Sequence, residues 1–156
     1  MTTPRDRISY GSHAFPFWGL QTGSGEPPPL PMLPIRIRTG RGAWSTAFDA
    51  APDTGSTRTI IPMLLAESIG LVVGGAQEAI DAAAGDFQAR PATGDLAIVD
   101  AHYPGVPVWE IHDLTIWVPV REDVVAIPVL GWDVLALFHI CFDHKERRVE
   151  MRLHTP

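Results

Sequence analysis

The tetrapeptide Asp53-Thr54-Gly55-Ser56 is the stretch of this sequence whose residue types most clearly could do chemistry. Gly55 has no Cβ, so backbone amides can approach a neighbouring carboxylate closely. Two carboxylates held side by side cannot both ionise and therefore share one proton. One member then accepts a proton from water while the other donates one, which is general acid–base chemistry. Alone, the motif favours a simple turn, because Asp and Gly are common turn residues.

A second signal changes that balance. Residues 129–135 read Val-Leu-Gly-Trp-Asp-Val-Leu, two aliphatic residues and a glycine that open an apolar helical segment. Strand-like residues precede Asp53, and a β-branched run at 57–61 follows it. A hairpin with Gly85 at its bend lies between the two signals. This order favours a catalytic Asp53 over a simple turn.

These features together resemble the retropepsin-like (retroviral-type) aspartic proteases, and the segment 53–71 is similar to their bacterial members. The pattern of that family is Asp-Thr-Gly-Ser/Ala after a strand, a flap hairpin, and then two aliphatics and Gly, often with Arg-Asp, at the start of a helix. The resemblance covers roughly residues 33–153. It implies a mainly β, retropepsin-like fold with one closed β-sheet lobe per chain, a flap hairpin and one or two short helices.

The resemblance also implies site residues. Asp53 is expected to be catalytic, with Thr54, Gly55 and Ser56 supporting its loop: Thr54 ties two catalytic loops together through its hydroxyl, and Ser56 supports the outer carboxylate oxygen. The structural residues behind the loop are Leu130 and Gly131. The hairpin at 79–92 is similar to the flap that closes over substrate, and its tip comprises Ala84, Gly85, Asp86 and Phe87.

Only one Asp-Thr-Gly occurs in the chain, so the second carboxylate must come from elsewhere. In a two-fold homodimer, Asp53 of one subunit meets Asp53 of the other. The expected protein is thus a homodimeric aspartic endopeptidase acting on peptide or protein substrates, with no metal or organic cofactor. One alternative is a dimeric module of the same fold that binds peptides without cutting them. Another is a β-rich domain in which both motifs are coincidental.

Two departures from the family pattern bear on the choice between enzyme and binding module. Pro52 removes an amide donor just before Asp53 and restricts Ala51 to extended geometry. Trp132 stands where many members carry an arginine that anchors the loop by ion pairing. Arg58 is the candidate to supply that charge instead. Both departures favour the binding module.

The surrounding elements are mostly strands. A hairpin is predicted from strands at 35–38 and 43–49 around a turn at 39–42. Other predicted strands are 57–61, 76–99 with its bend, 108–120 broken by a turn near Asp113, 124–130, and a closing hairpin of 140–142 and 149–153. Helices are predicted at 62–69, with proline at its start and glycine behind it, and at 134–138, capped by Asp133.

Composition limits the other possibilities. Residues 1–30 are proline-rich and predict a loosely attached arm or linker, of which 15–18 could dock, leaving 31–156 as the domain. A net charge of −6 argues against nucleic-acid or anionic-membrane surfaces, and no run approaches the ~20 apolar residues of a membrane span. The single cysteine, Cys141, suits the reducing cytoplasm and lacks the electropositive neighbours of a nucleophile. The six histidines show no metal-ligand spacing.

Overall fold

The computed structural model describes residues 11–17, 30–40, 42–81 and 85–154. Its elements are β1 (His13–Pro16), β2 (Leu33–Arg38), β3 (Phe48–Pro52), α1 (Met63–Ser68), β4 (Glu78–Ile80), β5 (Phe87–Val99), β6 (Pro107–Pro119), β7 (Val129–Leu130), α2 (Trp132–Leu135), β8 (Phe138–Asp143) and β9 (Arg148–Leu153). The protein is therefore mainly β with two short helices, which confirms the expected fold class at that level. In the described part of the chain, neither helix has the length and apolarity to cross a bilayer.

The larger sheet contains six strands and is built around the long strand β5. One edge of β5 pairs antiparallel with β6, and its other edge holds β4 near its start and β2 near its end. Beyond β2 come β3 and then β7, and β3 and β7 run parallel. The sheet curls into a half-barrel. Because parallel neighbours end at the same edge, the chain segments that leave β3 and β7 emerge side by side.

The smaller sheet has the order β1-β9-β8 and includes a strand that the sequence assigned to the arm. Phe15 of β1 pairs with Val149 of β9, and its side chain is fully buried, 6.3 Å from the Trp109 ring. The prediction of a loosely attached arm therefore does not hold for His13–Pro16. This segment belongs to the fold because Phe15 fills a position in the core. Residues 1–10 and 18–29 lie outside the described residues.

Both sheets contribute to one main core. Its fully buried members include Leu33, Ile35, Ile98, Leu130 and Leu135. Each such side chain stabilises the fold by about 1.5–3 kcal/mol through removal of apolar surface from water. A second, smaller group underlies the β4–β5 hairpin, and we call it the flap-base cluster: Ile60, Ile80, Phe87, Ala89 and Trp117.

Three predicted strands differ from what is observed. Residues 43–47 form an irregular loop, held by a 2.6 Å hydrogen bond from Arg36 Nε to the Ser45 carbonyl and by Arg38 stacked 4.5 Å from the Trp44 ring. The 57–61 segment makes only isolated bridges at Ile60, and the 124–130 segment is a strand only at β7. Residues 59–61 exchange single backbone hydrogen bonds with Trp117 and Val129, so short bridges stand where continuous ladders were predicted.

The expected turn near Asp113 is instead a bulge inside a continuous β6. Asp113 has φ of 56°, a left-handed conformation that Asp tolerates better than most residues. The partner strand shifts register between Gly94 and Leu96, and the Asp113 amide donates to Asp95 Oδ1 at 3.1 Å. One extra residue is absorbed without ending the strand.

Both helices lie close to their predicted positions. Helix α1 ends before Gly70, whose φ of 69° fits the left-handed conformation common after a helix. Helix α2 begins two residues earlier than predicted, with Gly131 at its N-cap and no capping hydrogen bond from Asp133. The Asp133 carboxylate is directed to a different partner, Thr59.

Candidate active site

Asp53 lies at the exit of β3, in a tight and solvent-exposed loop that we call the Asp53 loop, residues 53–58. Its carbonyl accepts a 3.1 Å hydrogen bond from the Ser56 amide, which closes the turn. Its Oδ1 accepts from the Gly55 amide at 2.8 Å. A Cβ on Gly55 would lie 3.2 Å from that oxygen, so glycine is what allows this approach. The carboxylate is thereby oriented by backbone of its own loop.

The segment leaving β7 fixes the backbone of the Asp53 loop from behind. The Asp53 amide donates to the Leu130 carbonyl at 3.0 Å, and the Trp132 amide donates to the Ser56 carbonyl at 2.9 Å. Between these two bonds, a Cβ added to Gly131 would lie only 2.5 Å from backbone atoms of Arg58. Leu130 is fully buried beneath this contact. The structure thus places Leu130 and Gly131 directly behind the Asp53 loop.

A hydrogen-bonded pair, the buried Thr59 and the exposed Asp133, was missed by sequence reasoning. Thr59 is fully buried, and both of its polar groups reach Asp133: its amide donates to Oδ2 at 2.8 Å and its hydroxyl to Oδ1 at 2.7 Å. The Thr59 hydroxyl also accepts from the Gly131 amide at 3.3 Å. The sequence did show an acidic residue, Asp133, two positions after Gly131, but helix-capping preferences led to its interpretation as a helix cap.

Thr54 and Ser56 are placed differently from each other. Thr54 is exposed, and its carbonyl accepts a 2.6 Å hydrogen bond from Trp132 Nε1. The Ser56 hydroxyl donates to the Arg58 carbonyl at 2.8 Å. The single proton of the Ser56 hydroxyl is thus engaged within its own turn, whereas the resemblance implies that this hydroxyl supports the outer oxygen of the Asp53 carboxylate.

Arg58 connects the Asp53 loop with the β4–β5 hairpin. Its guanidinium stacks 4.2 Å from the centre of the Trp117 ring and pairs with Glu78 of β4 at 3.2 Å. The Arg58 charge, which was the candidate to anchor the Asp53 loop, is therefore paired with the hairpin, and the Trp132 indole anchors the loop instead. Trp117 and Glu78 were not identified from sequence, because the ring and the acid belong to strands distant in the chain.

The hairpin that resembles a flap is present at the predicted place. Ile80 pairs with Phe87, and Gly85 has φ of 114°, a conformation that side chains rarely adopt. Gly85 and Asp86 are exposed, but Phe87 is buried in the flap-base cluster and so belongs to the hinge side of the hairpin rather than to a free tip. Ala84 lies outside the described residues.

Other polar groups of the described residues lie away from this loop. Burial alone would raise the pKa of Asp95, yet hydrogen bonds from Arg38 at 2.9 Å, from the Asp113 amide and from His112 hold it below its usual value of 3.8. No group of three or more His, Cys, Asp or Glu side chains within the described ranges could hold a metal ion. Two surface cavities, of about 370 and 570 Å³, are lined by other segments than the Asp53 loop.

Comparison with known proteins adds no relative. The sequence matches no model of a protein family, and no curated protein gives a significant match. The functional argument therefore depends on the geometry of the Asp53 loop. That geometry is a single surface carboxylate, oriented by its own backbone and supported from behind by a buried second segment.

Proposed function

We propose that the protein is an aspartic endopeptidase that is active as a homodimer. The observation that carries the proposal is the Asp53 loop: its carboxylate is exposed, yet the backbone on either side of it is held by hydrogen bonds to Leu130 and Trp132. A carboxylate serving only as a turn former needs no such support from a distant segment. Rigid support of an exposed reactive group is what preorganised catalysis requires.

The chemistry needs two such groups. When Asp53 of each subunit meets at the two-fold axis, the pair holds one proton, since both cannot ionise at close range. The ionised member takes a proton from a water molecule, which attacks the peptide carbonyl carbon, and the protonated member donates to the carbonyl oxygen. When the tetrahedral species collapses, the C–N bond breaks and the member that took the proton from water gives it to the leaving nitrogen. The other member takes back a proton from a hydroxyl on the tetrahedral carbon, so the pair again holds one proton. The titration belongs to the pair and not to one residue.

The β4–β5 hairpin is proposed to cover the substrate. Arg58 joins its first strand to the Asp53 loop, and the flap-base cluster joins both strands to Trp117. These contacts restrain the base of the hairpin and leave Gly85 and Asp86 exposed. A hairpin that is restrained at its base and exposed at Gly85 and Asp86 suits closure over an extended peptide. The exposed single cysteine, Cys141, fits a reducing compartment such as the cytoplasm.

The test is peptide cleavage by the full chain and by Asp53→Asn. We expect the substitution to lower kcat by at least about 100-fold, because it removes the acid–base pair, while the dimer persists. Asp49→Asn is the matched control, since Asp49 is an exposed acid on the same strand, β3. Turnover by the parent protein that Asp53→Asn leaves intact would refute the proposal.

The second candidate is a dimeric peptide-binding module of the same fold. The observation that favours it is the Ser56 hydroxyl, which is engaged by the Arg58 carbonyl and so leaves the Asp53 carboxylate with less support than the family pattern implies. This candidate predicts saturable binding of peptides with no cleavage across the acid and neutral pH range. Isothermal titration calorimetry beside a cleavage assay separates the two candidates.

A further inference from the structure

We infer that Trp132 is a contact residue of the two-fold interface, packing against a second copy of this chain beside the Asp53 pair. This inference rests on the proposed function, since it takes from that function the meeting of two Asp53 carboxylates. It adds the surface on which the two chains meet. Three observations carry it: the exposure of the indole, its attachment to Thr54, and its distance from the axis that the chemistry requires.

The indole is exposed in a way that suits an apolar contact. Trp132 has 47% of its surface exposed, and yet its one polar atom, Nε1, already donates to the Thr54 carbonyl at 2.6 Å. The ring can therefore be covered by a partner without stranding a donor. Leu137, just after α2, is also exposed, at 41%. Tryptophan is enriched among the residues that dominate binding energy at protein interfaces.

The pairing of two Asp53 carboxylates limits how far the Trp132 indole can lie from the two-fold axis. Two carboxylates that share a proton lie about 3 Å apart, so each is within about 2 Å of the two-fold axis. Adding the Asp53 side chain, the peptide unit to Thr54 with its carbonyl oxygen, and the 2.6 Å hydrogen bond places Trp132 Nε1 at most roughly 15 Å from that axis. A standard interface of about 800 Å² per partner, taken as a disc, has a radius of about 16 Å. The indole nitrogen therefore lies within the radius of a standard interface centred on the axis.

The competing surface is the free edge of β8. In the described part of the chain, β8 is the last strand of the smaller sheet, and its unpaired backbone could add to the same strand of a second copy. That arrangement leaves Trp132 uncovered. Cys141, exposed on β8, is the position for a variant that reports on it.

The experiment measures the dimer dissociation constant by sedimentation equilibrium for the full chain and its variants. Trp132→Ala is expected to raise the dimer dissociation constant by at least about 100-fold, because the substitution is present in both subunits and removes two indoles from the interface. Trp44→Ala is the matched control: Trp44 is a partly exposed tryptophan that stacks on Arg38 in the 42–47 loop, and its removal is expected to change the constant by less than about threefold.

A second measurement covers the case in which Trp132→Ala fails to fold. Iodide quenching of tryptophan fluorescence is followed across a dilution series, and the accessible fraction is expected to fall as the dimer forms. That fall is expected to persist in Trp44→Phe and to vanish in Trp132→Phe, which keeps an aromatic ring in place.

Each outcome bears on one proposal or both. If Trp132→Ala leaves the dimer intact, or if only Cys141→Glu disrupts it, Trp132 is not a contact residue of the two-fold interface. Cleavage that depends on Asp53 would in either case still support the proposed function. A protein that stays monomeric at every concentration overturns the interface and the dimeric enzyme together.

Discussion

Gly131→Ala tests the contact between the Asp53 loop and the segment behind it. The added Cβ would lie 2.5 Å from the backbone nitrogen, carbon and oxygen of Arg58, whereas carbon contacts are comfortable at about 3.5–4.0 Å. Backbone atoms cannot rotate away as a side chain can, so the two segments must separate by about 1 Å. Overpacking of this kind costs about 1–3 kcal/mol.

The separation also lengthens two hydrogen bonds that flank the contact, Asp53 to Leu130 and Trp132 to Ser56, each contributing about 0.5–1.5 kcal/mol. We therefore expect the free energy of unfolding to fall by about 2–4 kcal/mol in Gly131→Ala. For a chain of this size that corresponds to a loss of roughly 5–15 °C in Tm. Turnover is expected to fall as well, because the Asp53 loop moves with Arg58.

The assay is urea denaturation followed by circular dichroism at one fixed protein concentration, since dimerisation makes stability concentration-dependent. Gly74→Ala is the matched control: no atom lies within 4 Å of its added Cβ, and its φ is not positive. It is expected to change the free energy of unfolding by less than about 1 kcal/mol, and in the stabilising direction. Equal stability of the two alanine variants would refute the close contact at Gly131.

Three other predictions concern the neighbouring contacts. Asp133→Ala should lower the free energy of unfolding, measured in urea, by about 2–4 kcal/mol, because the buried amide and hydroxyl of Thr59 lose their hydrogen-bond acceptor. Asp133→Asn should lower it by less than half as much. Equal losses in the two variants would contradict this account. Arg58→Ala should speed amide hydrogen exchange in the β4–β5 hairpin by about fivefold. The ion pair of Arg58 with Glu78 and its contact with the Trp117 ring together contribute about 1 kcal/mol. Unchanged exchange would show that Arg58 does not restrain the hairpin. Asp95→Asn should destabilise the protein at pH 7, and the difference from the parent should disappear as pH falls below 3.8, because a carboxylate with a lowered pKa stabilises the fold only while ionised; a pH-independent difference would contradict this.

Local patterns predicted the elements whose stability is local. Proline before Met63 and glycine at position 70 marked the first helix, and apolar segments on either side of a charged turn at 143–148 marked the β8–β9 hairpin. For the arm, the apolar run 15–18 indicated docking, but it did not show that Phe15 fills a core position beside β9. Asp113 was taken for a turn because a bulge and a turn use the same residue type.

The site was predictable where residue types carry a steric demand. At Gly131 the Arg58 backbone occupies the space of a Cβ, and at Gly55 a Cβ would lie a tight 3.2 Å from the Asp53 carboxylate; the sequence shows both glycines directly. Partners that meet only after folding were not predictable. The Thr59–Asp133 pair, the Arg58–Glu78 pair and the indole of Trp132 against Thr54 join positions far apart in the chain, and nothing local to any of them names its partner.

The central claim is that Asp53 of one chain works with Asp53 of another, and subunit mixing tests it most directly. Parent protein and Asp53→Asn are combined in equal amounts at constant total concentration, allowed to exchange subunits, and assayed for peptide cleavage. If a dimer needs both carboxylates, only the dimers with two parent subunits are active, so the mixture retains roughly one quarter of the parent activity. Activity that falls only to about one half would mean that each Asp53 works alone, and would contradict the account.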